Sequence, residues 1–271
     1  PIARWICKVH CGGRERPLDH FSTTDCGDCH EPGVGIHPDY ASAVLEQERG
    51  HYRFGQRAIG VTDLVSGCPR AAAIKHDVEY AVDPLAVNAP LTGTAWHNYI
   101  EKAAKSDMVE VRVGGTVDGA PVITSVDRLR MERGLIEDWK SGNDFRHKYD
   151  KRDGPKPEWR AQLSLGAELV EQTFKWRPTR GTIWAHYAAG PGLWPMPVTL
   201  QSLSDVLEFR PWKGSATVRD HLAAMEGWRR GETQWSDMPL FGEDQTIGDK
   251  TACDYCAVFT ICKEQARGAA F

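Results

Sequence analysis

The 271-residue sequence has no run of about 18 or more consecutive apolar residues, so no segment reads as a transmembrane helix. It also lacks a strong charge of either sign. Thirty-three Lys and Arg oppose 37 Asp and Glu for a formal net charge of −4, so bulk electrostatics do not announce a nucleic-acid binder. No internal repeat or low-complexity tract is present, which sets aside solenoid and tail-like architectures. The opening Pro1 to His10 is interrupted by charge and supplies no signal-peptide apolar core, so a cytoplasmic protein without a membrane partner is expected. What is present is ordinary globular material: 41% hydrophobic and 26% charged residues exclude a disordered, collagen-like or fibrous chain. The length allows one large domain or two small ones. Charge is uneven locally, with ten Lys/Arg against seven Asp/Glu between Arg128 and Arg160, a weak basic surplus that also suits a solvated mixed surface.

The eight cysteines fall into two sets of four. Cys7-x3-Cys11 and Cys26-x2-Cys29 are two close pairs, each able to grip one edge of a tetrahedral ion. In a chain expected to be cytosolic and too long to need disulfide staples, metal coordination is the better default. Four thiolates suit Zn²⁺ in a closed, structural site within a small N-terminal module. His10, His20 and His30 are near enough to replace a cysteine. Cys26-Gly-Asp-Cys29-His30 also fits a c-type haem attachment, but that needs an exported protein and leaves Cys7 and Cys11 idle. The second set is Cys253, Cys256 and Cys262, three thiols on ten residues, with Cys68 far upstream. Three clustered plus one remote is a recurring way to hold a 4Fe-4S cluster. A second zinc, or a Cys68 that is merely buried, is the alternative.

Along the chain, residues 1–38 form the cysteine-bearing module, ending in the loop-like Glu31-Pro-Gly-Val-Gly-Ile-His-Pro38, and residues 39–271 the second domain. A short polar helix is plausible over 39–50. Two helical pieces are expected within 62–75, meeting at Gly67-Cys68-Pro69, where Pro69 suits a first helical turn. A helix after Thr92 or Thr94 places His97 and Glu101 one turn apart. The stretches 108–114 and 116–127 alternate like antiparallel strands, and Glu132-Arg-Gly134 turns into a strand over 135–140. Strand periodicity there puts Ile136, Asp138 and Lys140 on one face and Glu137 and Trp139 on the other. A helix is expected from about 157 to 174, strands over 182–187 and 196–200, and a helix from about 216 to 230.

Asp127 at the end of one strand and Asp138-Trp139-Lys140 on the next form an acid and an acid-x-lysine. Two carboxylates hold Mg²⁺ or Mn²⁺ through oxygen, the ion polarises a phosphate and acidifies a bound water, and a lysine places that water and offsets developing charge. Alone, this pattern occurs by chance in many chains. The whole ordered set is more specific: Ser66-Gly-Cys68-Pro-Arg70, Gly93-Thr-Ala-Trp-His97, Asp127, Asp138-Trp-Lys140, Gln162 and Cys253-x2-Cys256-x5-Cys262. Over residues 60–262 the chain thereby resembles the RecB-type branch of the PD-(D/E)xK nuclease superfamily, in particular the iron-sulfur exonucleases of CRISPR adaptation and of phages.

The resemblance implies an α/β fold with a restriction-endonuclease-like core, a central mixed sheet flanked by helices, closed by an iron-sulfur clasp and preceded by the zinc-binding module. It implies that His97, Asp127 and Asp138 ligate the catalytic metal, that the Trp139 carbonyl adds a ligand, and that Lys140 assists the attacking water. Gln162 corresponds to a glutamine helix that supports the site and contacts DNA. Cys68 closes the 4Fe-4S cluster with Cys253, Cys256 and Cys262. The implied activity is a metal-dependent DNA exonuclease, acting on single-stranded ends in recombination, repair or CRISPR-type processing, with protein partners in a larger complex. Where the family has an aromatic four residues after the glutamine, this chain has Gly166. Rival readings are a nucleic-acid-binding subunit that has lost useful catalysis, against which Asp127, Asp138 and Lys140 speak, and an electron-transfer protein, which the long nuclease-like middle disfavours.

Overall fold

An Asp-Gly pair organises the centre of the molecule. Asp118 and Gly119 adopt φ of 46° and 86°, the left-handed pair that a two-residue hairpin turn requires. They join strand β5 (Met108–Val117) to β6 (Ala120–Arg130), with Val117 opposite Ala120 and Met108 opposite Leu129. The expected stretches 108–114 and 116–127 break at Gly115, whereas the turn begins three residues later at Asp118, because Thr116 and Val117 pair across the hairpin rather than beginning its second arm. In this computed structural model the residues described are 2–7, 14–17, 59–65, 68–78, 80–82, 102, 108–142, 144–187, 192–211, 215–238, 246–247, 250–251, 256, 258 and 261–262; for 2–7, 14–17, 80–82, 142, 144–146, 192, 246–247 and 250–251 the description is of backbone.

The next turn, a 3-10 segment over Met131–Arg133, closes on Gly134 at φ 63°. A Cβ there would stand 2.6 Å from the Thr179 hydroxyl oxygen, so both backbone and space select glycine. It delivers β7 (Leu135–Gly142), which pairs antiparallel with β6 only at Arg128–Glu137, Leu129–Ile136 and Arg130–Leu135. Farther up, the same edge of β6 pairs in parallel with the short β3 (Ile59–Gly60) at Val122 and Ile123. Between those two contacts, β6 and β7 part. On its other side β7 pairs in parallel with β8 (Arg180–Tyr187), and β8 pairs antiparallel with β9 (Gly192–Val198). The sheet is thus mixed, in the order β3-β6-β7-β8-β9 with β5 beside β6. This is the expected central mixed sheet.

Helices α1 (Val61–Val65) and α2 (Pro69–Asp77) meet at Cys68, the residue preceding Pro69 at the first position of α2, as expected. Helix α3 (Asp144–Asp153) was not foreseen, whereas α4 (Pro157–Phe174) has the expected bounds. Helix α4 carries the crossover from β7 to β8 and buries Leu163, Leu165, Leu169 and Val170 on the sheet, each worth about 1.5–3 kcal/mol. Its far end is pinned to β5 by Gln172, whose side chain accepts from the Thr116 N–H at 2.8 Å and donates to the Thr116 carbonyl at 3.0 Å. Helix α5 (Leu203–Glu208) starts at a Ser202 cap, and α6 (Val218–Arg230) at a reciprocal Thr217–Asp220 capping box.

Strands β1 (Ile2–Cys7), β2 (Arg14–Pro17) and β4 (Tyr80–Val82) form a separate sheet in the order β2-β1-β4, so backbone pairing crosses the boundary expected near residue 38. Two short strands, β10 (Thr246–Ile247) and β11 (Lys250–Thr251), pair antiparallel. The helices expected over 39–50 and after Thr94 lie outside the described residues. Among the described residues no helix is long and apolar enough to cross a membrane.

Candidate active site

The parting of β6 from β7 leaves the inner edge of β7 without its neighbour's backbone, and a side chain takes the neighbour's place. Asp127 Oδ2 accepts the Trp139 N–H at 2.5 Å. That bond turns the carboxylate of Asp127 toward Asp138, the residue before Trp139. Both acids are nearly withdrawn from solvent, at 8% and 7% exposure. Carboxylates are rarely so buried unless paired.

Lys140 answers them. Strand alternation puts it on the Asp138 face. Its Nζ donates to Asp138 Oδ1 at 3.0 Å and to Gln162 Oε1, from α4, at 3.1 Å. Burial of Lys140 pulls its pKa down, but the charges of Asp138 and Asp127 and the hydrogen bond to Asp138 outweigh it, leaving the pKa above its ordinary value. Lys140 is therefore an ammonium at neutral pH and no general base. Asp138 Oδ2 stands 2.9 Å from the same nitrogen yet is buried without an aligned hydrogen bond. Two carboxylates against one ammonium leave the trio at net −1. A small open hollow lies against the two acids, lined by Asp127, Asp138, Gln162, Ser125 and Gly166 among others.

Glu137, the neighbour of Asp138 on the opposite face of β7, is only 2% exposed. The Trp184 indole donates to its Oε1 at 2.8 Å, and the Arg130 and Arg128 Nε atoms stand 3.0 Å and 3.5 Å from its Oε2. The sequence reading placed Glu137 on that face but did not foresee this pair of guanidinium groups, although Arg128 and Arg130 alternate on β6 at strand spacing.

The structure brings together Asp127, Asp138, Lys140 and Gln162. Trp139 lies between the acids, with its side chain buried. His97 lies outside the described residues, as do Cys11, Cys26, Cys29, Cys253 and the side chain of Cys7. Gly166 faces the sheet, where a Cβ would lie 3.6 Å from Ile136 Cδ1 and 3.9 Å from Val126 Cγ2. The absence of a side chain there keeps the hollow open beside Asp127. Ser125, two residues before Asp127, lines the hollow and was not foreseen; strand alternation from Asp127 is the signal that points to it.

Cys68, Cys256 and Cys262 are half-buried, and Cys256 and Cys262 pack against the core. Among the described residues no group of three or more His, Cys, Asp or Glu is close enough to hold a metal, so the described thiols do not by themselves form a cluster site. The two ends of the domain are nonetheless clasped. Arg70, two residues after Cys68, donates from Nε to the Met238 carbonyl at 2.8 Å and from Nη2 to the Ser236 carbonyl at 2.7 Å, and its Nη1 lies 4.0 Å from Cys262 Sγ.

No family model and no curated protein matches the sequence. Among solved structures, that of SSO0001 superposes with a TM-score of 0.50 at 13% identity, covering 82% of this chain and 94% of that one. An alkaline exonuclease, LHK-Exo from Laribacter hongkongensis, gives 0.44 at 12% identity over 69% and 93% of the two chains. Its complex with dAMP gives 0.40 at 14% over 65% and 89%. The likeness to SSO0001 is one of fold, and it extends over nearly the whole of that protein.

Proposed function

We propose that the chain is a divalent-metal-dependent nuclease that hydrolyses phosphodiester bonds of DNA, working from single-stranded ends. The observation that carries this reading is the trio at the parted strands: two buried carboxylates, one of them with an oxygen lacking an aligned hydrogen bond, held against a single ammonium at net −1. An oxygen donor set with surplus negative charge fits a hard divalent cation. Asp127 and Asp138 would hold Mg²⁺ or Mn²⁺, with His97 and the Trp139 carbonyl as further ligands by resemblance. When bound, the ion supplies Lewis-acid polarisation of the phosphate and a more acidic water.

The chain's own residues do the rest. The Trp139 N–H fixes the orientation of Asp127 by committing Oδ2 to the backbone of the neighbouring strand. Gln162 and Asp138 hold the Lys140 ammonium between them, where it can donate to a water or to a phosphate oxygen as negative charge grows. The test is digestion of end-labelled single- and double-stranded DNA with Mg²⁺ or Mn²⁺, with the wild type beside Lys140→Ala. Chelator-sensitive cleavage is expected, slowed by about 10²- to 10³-fold in the variant. An intact, metal-loaded wild type that cleaves neither substrate would instead make the chain a binding subunit of a DNA-processing complex.

The cysteine assignments rest on spacing and resemblance. A 4Fe-4S cluster on Cys68, Cys253, Cys256 and Cys262 predicts a brown protein that Cys256→Ala bleaches and destabilises; a stable, fully coloured variant would refute it. Zinc on Cys7, Cys11, Cys26 and Cys29 of an N-terminal module predicts that Cys26→Ser releases about one Zn²⁺ and leaves the visible spectrum unchanged. A reducing, cytoplasmic setting suits both.

A further inference from the structure

Beside the carboxylates, at the corner where α3 meets α4, three aromatic rings each carry a cation. Arg152 lies 5.2 Å from the Tyr149 ring centre, Lys156 lies 5.1 Å from that of Trp159, and Lys151 lies 5.9 Å from that of Trp194. All three rings are half-buried, with part of each surface open to solvent. The sheet register ties this corner to the catalytic face. Lys140 pairs with Ala185 on β8, and Ala185 pairs with Trp194 on β9, so the three share one face in a single row. Two strand spacings put Trp194 about 10 Å across from Lys140, with only an alanine between them. Trp159 stands one helical turn before Gln162, the partner of Lys140, on the neighbouring part of the same helix surface.

The corner is basic as well as aromatic. Lys148, Lys151 and Arg160 are exposed, and none has a carboxylate partner among the described residues. Of the acids nearby, Asp153 takes both Arg152 Nε and Nη2 at 2.7 Å and Glu158 stands 3.8 Å from Lys156, while Asp150 is turned inward and accepts the Tyr187 hydroxyl at 2.5 Å with 1% exposure. Aromatic faces interleaved with unpaired cations suit one polymer above others. Unstacked bases lie on the rings while the phosphates between them meet the ammonium and guanidinium groups. A duplex offers the phosphates but not the base faces, which are already stacked on one another.

The geometry points to the α3–α4 corner as the surface that receives single-stranded DNA and leads its end to Asp127 and Asp138. This deepens the nuclease reading by naming the surface that a single strand follows to the site, and it rests on that reading only for the direction of travel. As bases stack, Lys151 leaves the Trp194 ring for a phosphate, and Lys148 and Arg160 meet its neighbours along the strand.

Binding of a 5′-fluorescein oligothymidylate of about 20 nucleotides to the full chain, followed by anisotropy in chelator, separates binding from cleavage. Wild type is expected to prefer the single strand over a duplex of equal length by at least about tenfold, with quenching of tryptophan fluorescence. Trp159→Leu should weaken binding by about tenfold, and Trp159→Phe, which keeps an aromatic face and the packing, should restore most of it. Lys148→Gln with Lys151→Gln should lower the slope of log K against log salt by about 1.4, two phosphates' worth for a single strand. Cleavage by a wild type whose single-strand affinity ignores all these substitutions would overturn the surface and leave the nuclease reading standing. Tight, substitution-sensitive binding with no cleavage under any divalent metal would do the reverse. Equal affinity for duplex and single strand, or no binding, also overturns the surface.

Discussion

Glu137 and Asp138 are consecutive carboxylates on one strand, both almost fully buried, and they are held in opposite ways. Glu137 faces two guanidinium groups and an indole N–H, a surplus of positive partners. Asp138 shares one ammonium with a second carboxylate, a surplus of negative charge beside an open hollow. The first arrangement satisfies its charge with protein and has nothing left to offer. The second leaves a demand that, on the proposed reading, a divalent cation from solution would meet. Burial alone therefore does not mark a catalytic acid; the balance of partners does.

The sharpest way to break the comparison is to remove each charge in turn. Asp138→Asn should abolish DNA cleavage, by about 10³-fold or more, while the thermal midpoint moves little, because it relieves the crowding with Asp127 as it weakens the tie to Lys140. A variant that kept activity would show that Asp138 belongs to the structural class. Glu137→Gln should do the opposite. Leaving two guanidinium groups without their carboxylate costs about 3–5 kcal/mol, read by urea unfolding, while the folded fraction cleaves at the wild-type rate. Trp184→Phe, which removes one hydrogen bond to the charged Glu137, should cost about 1.5–3 kcal/mol in the same assay and spare activity.

The smallest effect concerns pH. His221 on α6 is buried, and burial holds its pKa below the ordinary 6.5 against the opposing pull of the Leu64 carbonyl and Asp220. The neutral ring is thus favoured in the fold. Its contribution is present above pH 6.5 and is lost as pH falls toward the lower folded value, when the unfolded chain takes up the proton. Thermal midpoints measured from pH 7.5 down to 5 should decline, and His221→Gln should flatten part of that decline. An unchanged slope would place the sensitive group elsewhere.

Much of the sheet was legible because its signals are local. Alternation marked β5 to β8, and Glu132-Arg-Gly134 marked the turn into β7. The hairpin tip lies beyond the expected break at Gly115 because the first strand runs on through Val117; only the paired positive φ of Asp118 and Gly119 ends it there. Helix α3 escaped notice because its inward position is the acid Asp150, held by Tyr187, rather than an apolar residue, so no hydrophobic stripe appears. Helix α5 did carry a signal, Ser202-x-x-Asp205 at its start, which went unread.

The site divides along the same line. Sequence by itself determined that Asp138 and Lys140 share a face, since a strand's period of two leaves no choice. It also determined the bounds of α4, through Pro157 at the entry and the apolar spacing that follows. Only the tertiary structure decided that β6 and β7 part between Asp127 and Trp139, that a side chain then replaces a backbone partner, and that Gln162 arrives over Lys140 from another layer. Nor does the sequence distinguish Glu137, whose charge is met by two guanidinium groups, from Asp138, which shares one ammonium with Asp127. That distinction depends on which charges neighbouring strands and helices bring within a few ångströms, and such distances are set by packing across the sheet, not by spacing along the chain.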